Sequence, residues 1–557
     1  MKTNHQGNSG EVATLLNAAA ARGIFVLAFV LAIAAALGGY MGRPVVANAD
    51  QPSDIQHSIQ KFANVLSVVQ QNYADPINVD QAIYDGAIPG MLQSLDPHSE
   101  FFDPKEYAAF LEQEEGRYYG VGMVIGQTPN GQTMVQYPFV NSPAYKAGIR
   151  PGDVILKVDG KLCAGLTTSA VANLLRGAKG TPVTISLGRE GWAKPIDVTV
   201  VRAEIPRPAV EYATMVRPGI GYIRVSTFND TTADRDFAAA LKQLDAPKLK
   251  GLIIDLRNNG GGLVDQSVGM ADMFLDKGDL IVSHRGRSSP ERRYYAIHGN
   301  QGLDVPLVVL INGQTASASE IFAGAMQDHD RALIVGQTSF GKGLVGTQFP
   351  LSYKTALMLI TARYYTPSGR SIQRSYKNET LYDYHYDPQK PQSQEARLTD
   401  TGRTVYGGDG ISPDVTVPDP KPDDFEKLME ARGVLYPASL PPQGVGDFVR
   451  FYLGENKDIS QNFEVNDAVI AQLKKYLDQQ HIDVTGAQIE QNLPYLKWEI
   501  QREVFTSVFG VNAGYKIALE NDPQLDQAIA SIPAAQALYA NARKMLAQKT
   551  SSRNVQP

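Results

Sequence analysis

Ser317 stands in Asn312-Gly313-Gln314-Thr315-Ala316-Ser317-Ala318-Ser319-Glu320-Ile321, after an apolar run and ahead of residues whose periodicity predicts a helix to about Gln327. A serine at such a strand-to-helix elbow exposes its Oγ, with unpaired N–H groups and the positive end of the helix dipole nearby to stabilise an oxyanion. The spacing Ser317-x-x-Glu320 is also a capping box, in which serine only satisfies backbone donors. On this motif alone, capping ranks ahead of nucleophilic catalysis.

Lys342, in Phe340-Gly341-Lys342-Gly343, shifts that balance. A lysine amine serves as general base for a serine only when uncharged, which takes burial or cationic neighbours, and flanking glycines permit the close approach. A lone Gly-Lys-Gly is ordinarily a solvated turn; its occurrence together with the serine element is what points to a Ser–Lys dyad.

These residues need a scaffold, and the chain alternates strand-like and helical stretches from Gly219 onward: 221–225 and 251–256 read as strands around a helix at 233–244, and 305–311 as another strand. That order implies an α/β core with at least partly parallel pairing, closing near Gly410-Ile411-Ser412-Pro413-Asp414. Before it, residues 53–109 have helical spacing, broken at Asp96-Pro97. Residues 120–205 change to short strands with turn signals, including Ser142-Pro143-Ala144-Tyr145-Lys146-Ala147-Gly148-Ile149-Arg150-Pro151-Gly152-Asp153. This β-rich module resembles a PDZ domain of the type found in bacterial proteases. In such a domain Gly120, Val121, Gly122 and Met123 would form the loop whose amides capture a terminal carboxylate, beside a strand edge open to an added peptide strand. Residues 169–176 would be the helix flanking that groove. After a Pro/Asp/Lys-rich stretch at 418–424, helical periodicity returns to about Leu546 without an assignable motif.

The whole resembles the carboxyl-terminal processing, or tail-specific, proteases across most of residues 55–418. In that family the nucleophile is the first serine of a (Ser/Thr)-Ala-Ser-Ala-Ser-Glu element and the base is the lysine of Phe-Gly-Lys-Gly twenty-five positions later, the roles that fall here on Ser317 and Lys342. The family's Leu-Arg-Asn-Asn-Pro-Gly-Gly element is Leu256-Arg257-Asn258-Asn259-Gly260-Gly261-Gly262 in this chain, and the resemblance makes the amides of Gly261 and Ala318 the oxyanion-hole donors. The glycine run taken alone also reads as a flexible strand-to-helix turn. Leu95-Asp96-Pro97-His98-Ser99 and Thr366-Pro367-Ser368-Gly369-Arg370 match further family elements. One departure stands out: many members carry a glutamine four residues after the lysine, where this chain has Gly346. Gln348, on the same side of a strand, is the candidate substitute.

The resemblance implies a multidomain α/β protein with a ClpP/crotonase-like core. The expected organisation is a signal peptide or membrane anchor at 1–50, an N-terminal helical domain at 51–115, a PDZ domain at 116–205, the protease core at 206–420 and a C-terminal helical extension at 421–557. The expected activity is that of a serine endopeptidase cutting polypeptides near their C-termini, recruited by their tails. The competing expectation is a catalytically silent, membrane-tethered peptide-binding scaffold. An uncharged apolar run at 23–39, after Lys2 and Arg22 and before Ala47-Asn48-Ala49, reads as a secretion segment, cleaved or retained at the inner membrane, and so as an extracytoplasmic, periplasmic location.

Other chemistries find little support. The single cysteine, Cys163, excludes an intrachain disulfide and a Cys-based zinc cluster. There is no His-Glu-x-x-His, Walker or dinucleotide fingerprint, so neither metal nor cofactor is expected. A net charge of −6 without a basic block gives no footprint for nucleic acid. Asp328-His329-Asp330 suggests a Ser–His–Asp arrangement, but twelve residues of helix rise about 18 Å, which makes His329 a helix-end cation instead. The C-terminal extension is a candidate for self-association into a homo-oligomer, or for adaptor binding.

Overall fold

The computed structural model describes residues 52–114, 117–128, 130–139, 141–206, 209–376, 395–437 and 444–553. The apolar run at 23–39 lies outside them, and among the described residues no helix is long and apolar enough to cross a membrane. The chain divides into two compact units after Ala87. The first contains the 21-residue helix Pro52–Asn72 and a short helix, Val79–Gln81, capped by the Asn78 side chain. Everything below concerns the second.

Its α/β core is built on a sheet whose strands follow the order Val210–Arg217, Ile220–Val225, Gly251–Asp255, Leu307–Ile311, Ala332–Gly336 and Val415–Thr416. The first pair is antiparallel and all later pairs are parallel. Strands Gly251–Asp255 and Leu307–Ile311 are buried at every residue, as parallel strands covered on both faces must be. Phe237, Phe274 and Phe322, from the helices at 233–243 and 318–328 and the turn after helix Val264–Asp272, pack one face. Leu519, Leu525, Ala528, Ile532 and Ala535 of the C-terminal extension pack the other, against Tyr222, Ile253, Val308 and Val335. The extension therefore has two parts. Helices between Asp424 and Phe509 enclose a core of their own around Phe448, Leu473, Leu496 and Ile500, whereas the last helices cover the second face of the parallel sheet.

A second, antiparallel sheet carries the strand Leu344–Pro350 beside Ala356–Tyr365. Ala356–Tyr365 also pairs with the short strand Glu100–Phe102, a departure from purely helical expectation for residues 53–109. Its cause is the Leu95–Ser99 turn: Asp96 accepts from the amides of His98 and Ser99 at 2.8 and 2.7 Å, and the Ser99 hydroxyl, held by Asp96, accepts from the Ile360 amide at 3.2 Å.

The β-rich module has the sheet order Met123–Gln127, Thr133–Pro138, Val154–Val158, Pro182–Gly188, Ile196–Val201, with helix Thr168–Leu175 packing its Val171 and Leu175 inward. Met123–Gln127 is an edge strand; Val121 and Gly122 join it to the strand Arg117–Gly120, which pairs with Ala203–Pro206. The Asp424–Phe509 part of the extension meets the module: Gln136, on the strand paired with Met123–Gln127, donates to the Tyr436 hydroxyl at 2.5 Å, and Gly191 lies so close to Gly454 that a Cβ there would come within 2.9 Å of its Cα.

Candidate active site

Strand Leu307–Ile311 ends in a turn that delivers Ser317 to the start of helix Ala318–Asp328. Ser317 has φ 57° and ψ −118°, a backbone region that non-glycine residues occupy only under constraint, at a cost of about 1–3 kcal/mol. The constraint is a lattice of hydrogen bonds to the glycine-rich loop. Asn312 and Asn258 exchange bonds at 2.8 and 2.9 Å, Thr315 Oγ1 donates to the Leu256 carbonyl at 2.8 Å, and the Asn259 carbonyl accepts from the Ala316 amide and the Ser319 hydroxyl, both at 3.0 Å. Ser317 is the N-cap of this helix, in a capping box with Glu320. The Glu320 amide bonds to the Ser317 carbonyl oxygen at 2.9 Å, and the Glu320 carboxylate takes up the Ser317 N–H, at 2.8 Å.

Gly261 fits directly against this elbow. A Cβ on it would stand 2.8 Å from both Ser317 Cβ and the Ala318 nitrogen, and its φ of +97° is open only to glycine without strain. Ala318 is the first residue of its helix, so its N–H has no intrahelical acceptor. The Gly261 N–H donates to Asn259 Oδ1 at 2.9 Å, so its use on an oxyanion requires that bond to be shared or released.

Glu320 is what brings the lysine turn to the serine. Its buried carboxylate accepts from Ser317 N and Lys342 N through Oε2, each at 2.8 Å, and from Gly341 N at 2.7 Å and Ser339 Oγ at 2.5 Å through Oε1. Two nitrogens that share one acceptor at 2.8 Å lie no more than about 5.6 Å apart, so the backbones of Ser317 and Lys342 are neighbours across a single oxygen atom. Burial pushes the Glu320 carboxyl up from its ordinary value, and these four hydrogen bonds pull it back only in part. The Phe340 amide adds a further bond between the turns, to the Thr315 carbonyl at 2.9 Å. The sequence motif disclosed Glu320 only as a capping residue; nothing in its spacing announces that it binds residues twenty-one and twenty-two positions away.

Both glycines beside Lys342 are sterically required. A Cβ on Gly341 would meet Arg374 Cβ at 2.8 Å, and one on Gly343 would meet Gln373 N at 2.7 Å. Gln373 also accepts from the Gly343 amide at 2.8 Å, and Ser339 Oγ accepts from Ile411 N at 2.7 Å, which is how the closing Gly410-Ile411 element contributes to the site. Lys342 itself is half-buried. Gln348 pairs with Met358, and a Cβ on Gly346 would meet the Met358 sulfur at 2.8 Å, so positions 346 and 348 share a face. Among the described residues, the Gln348 amide nitrogen is buried without a hydrogen-bond partner.

At the far end of the serine helix, Asp328 binds Arg370 at 2.8 Å and the Ser368 amide at 3.0 Å, which anchors the Thr366–Arg370 turn. His329 caps the helix, its Nδ1 2.7 Å from Asp400 and its Nε2 2.7 Å from the Leu280 carbonyl. With an acceptor at each nitrogen it is an imidazolium remote from Ser317. Burial alone would lower its pKa, but the Asp400 and Leu280 hydrogen bonds and the charges of Asp400 and Asp279 push it up to about 9. A folded value above the unfolded one of about 6.5 stabilises the fold fully below that pH, by about 3 kcal/mol, and the contribution is lost as pH rises through 9. Urea unfolding of the wild type should show this loss between pH 7 and about 10, and His329→Gln should flatten it; an unchanged pH profile in the variant would count against the ion pair.

In the module, Gly122 has φ +79°, and a Cβ there would collide with Ser142 Cβ at 2.5 Å. The loop's carbonyls are engaged from one side, Val121 O by Ala144 N at 2.8 Å and Gly122 O by Ser142 Oγ at 2.8 Å, with Val121 and Met123 buried in the module's core.

Comparison with known proteins agrees with this anatomy. The family model for peptidase family S41 matches residues 219–382, that for a PDZ domain residues 140–189, and that for the N-terminal domain of the activating protease CtpB residues 37–106. The chain is 42% identical over 338 residues to a carboxy-terminal-processing protease of Bartonella bacilliformis, covering 60% of this chain and 76% of that one. It is 32% identical to the carboxy-terminal processing protease CtpA of Bacillus subtilis, covering 68% and 82%. Among solved structures, the photosystem II D1 C-terminal processing protease is 31% identical, with 65% of this chain and 88% of that one covered and a TM-score of 0.35.

Proposed function

We propose, from the premise that this chain belongs to peptidase family S41 and is a PDZ-bearing carboxy-terminal-processing protease, that Ser317 is its nucleophile and Lys342 its general base. The observation that carries the assignment is the shared Glu320 oxygen, which keeps a strained serine and a lysine turn within about 5.6 Å backbone to backbone. In the proposed reaction the uncharged Lys342 amine takes the Ser317 proton as Oγ attacks an amide carbonyl. The amides of Ala318 and Gly261 receive the oxyanion, the protonated lysine gives its proton to the leaving amine, and the amine then activates water to release the acyl group. This cycle uses no metal or cofactor. Gln348 is proposed to orient Lys342 in place of the family glutamine, from the face shared with Gly346. Cleavage of a tailed polypeptide by Ser317→Ala and Lys342→Arg chains tests the dyad; substantial turnover by either would refute it.

Recruitment is proposed to run through the 120–123 loop, where amides bind the substrate's terminal carboxylate while its last residues add a strand to the edge Met123–Gln127. Gly122→Ala, strained by φ and by the Ser142 contact, should raise KM for a tailed substrate about tenfold, or about 1.4 kcal/mol, with kcat unchanged. Steady-state kinetics on substrates with a free and an amidated C-terminus checks this, and an unaltered KM would remove the loop from recognition. The extracytoplasmic location and the attachment or export through residues 23–39 are proposed on the sequence of that segment.

A further inference from the structure

The 258–262 loop that flanks Ser317 is preceded by Arg257, whose guanidinium is buried between the core and the C-terminal extension. On the core side Asp255 accepts from Nε at 3.0 Å and from Nη2 at 2.7 Å. On the other side Asp522 accepts from Nη1 at 3.1 Å and Nη2 at 2.7 Å, and Gln524 Oε1 from Nη1 at 2.9 Å. Asp522 is itself fixed as the cap of helix Pro523–Ala530, and Gln524 Nε2 donates to the Val417 carbonyl at 3.0 Å. The Arg257 carbonyl accepts from Arg224 at 3.0 Å, so the backbone is gripped as firmly as the side chain. Two residues on, Asn259 holds the Gly261 amide, Ala316 and Ser319.

We infer that Asp522 and Gln524 are positioning residues for the reaction: through Arg257 they set the 258–262 loop against Ser317, making the end of the C-terminal extension part of the catalytic apparatus. The inference rests on the assignment of Ser317 as nucleophile. Charge supports it. Arg224 and Arg257 are both buried and face Asp255, Asp522 and the partly exposed Glu211; without the Asp522 charge two guanidiniums are left with one fully buried anion. The outer half of Arg257 is then left to the neutral Gln524 oxygen, and the loop hung on it loses its charged reference. Displacement of a reacting group by about 1 Å costs on the order of a hundredfold in rate.

The test uses the full chain with Asp522→Asn, Gln524→Leu, Arg257→Lys and the Asp522→Asn/Arg257→Lys pair, assayed on a tailed substrate at a temperature where each is folded by circular dichroism. Asp522→Asn should lower kcat per folded chain tenfold or more with KM within twofold of wild type, and the kcat losses of Asp522→Asn and Arg257→Lys should fail to add in the double variant. A merely structural role lowers thermal stability without that non-additive kcat loss. Wild-type kcat in both Asp522→Asn and Gln524→Leu, or additive losses, would overturn the inference; if Asp522→Asn does not fold, wild-type kcat in Gln524→Leu alone does so. An active Ser317→Ala chain, run alongside, would instead strike the nucleophile assignment itself.

Discussion

Replacing Ser317 by alanine or Lys342 by arginine is expected to lower kcat by about ten-thousand-fold or more, with the fold intact and substrate capture preserved. Arginine is the sharper probe of the base. It keeps the positive charge, the length and any hydrogen bonding of a cationic lysine, but a guanidinium does not deprotonate in proteins. A lysine acting only as a cation would tolerate the exchange; a lysine acting as base would not. Ser317 offers a companion measurement, because its backbone is strained. Ser317→Gly removes both the hydroxyl and the steric penalty of φ 57°, so it should be inactive yet unfold at equal or higher temperature than wild type. Gln348→Ala belongs in the same series, with a loss of about tenfold expected if its buried amide orients the lysine, and none if it does not.

Glu320→Gln is expected to lower kcat by about a hundredfold to a thousandfold and to destabilise the fold. The carboxylate accepts four hydrogen bonds, two at each oxygen. An amide keeps one of those oxygens and turns an NH2 group towards donors that have nowhere else to go. Stranding buried donors costs about 1–3 kcal/mol each, so relaxation of the turn is the cheaper response, and the lysine moves away from the serine. KM for a tailed substrate should hold, since the 120–123 loop is built by other residues. Glu320→Asp keeps the charge on a shorter arm and should fall between wild type and Glu320→Gln. Equal kcat in Glu320→Gln and wild type, measured on folded protein, would show that the carboxylate is not what joins the two turns.

Much of this site was legible in the sequence because its parts are local. The strand-to-helix elbow at Ser317, the glycines around Lys342 and the Ser142–Asp153 turn each declare their geometry within a dozen residues. Family resemblance supplied the pairing of serine with lysine across twenty-five positions. What could not be read were the long-range polar bonds. Glu320 satisfies a local capping pattern so well that its reach to Gly341 and Lys342 leaves no periodic or compositional trace. The engagement of the Gly261 amide by Asn259 depends on one side-chain rotamer. The extension presented the same helical periodicity throughout, and periodicity reports that a face is apolar without saying what covers it; only the fold separates the helices that enclose Phe448 and Leu496 from those that lie on Val308 and Ile253.

That cover has a consequence for biosynthesis. Strands at 220–336 leave the ribosome some two hundred residues before the helices that seal their second face, and contacts so distant along the chain form late. Until residues 519–535 arrive, the sheet shows bare apolar surface and Arg257 has no anion from Asp522, so a half-made chain is prone to aggregate.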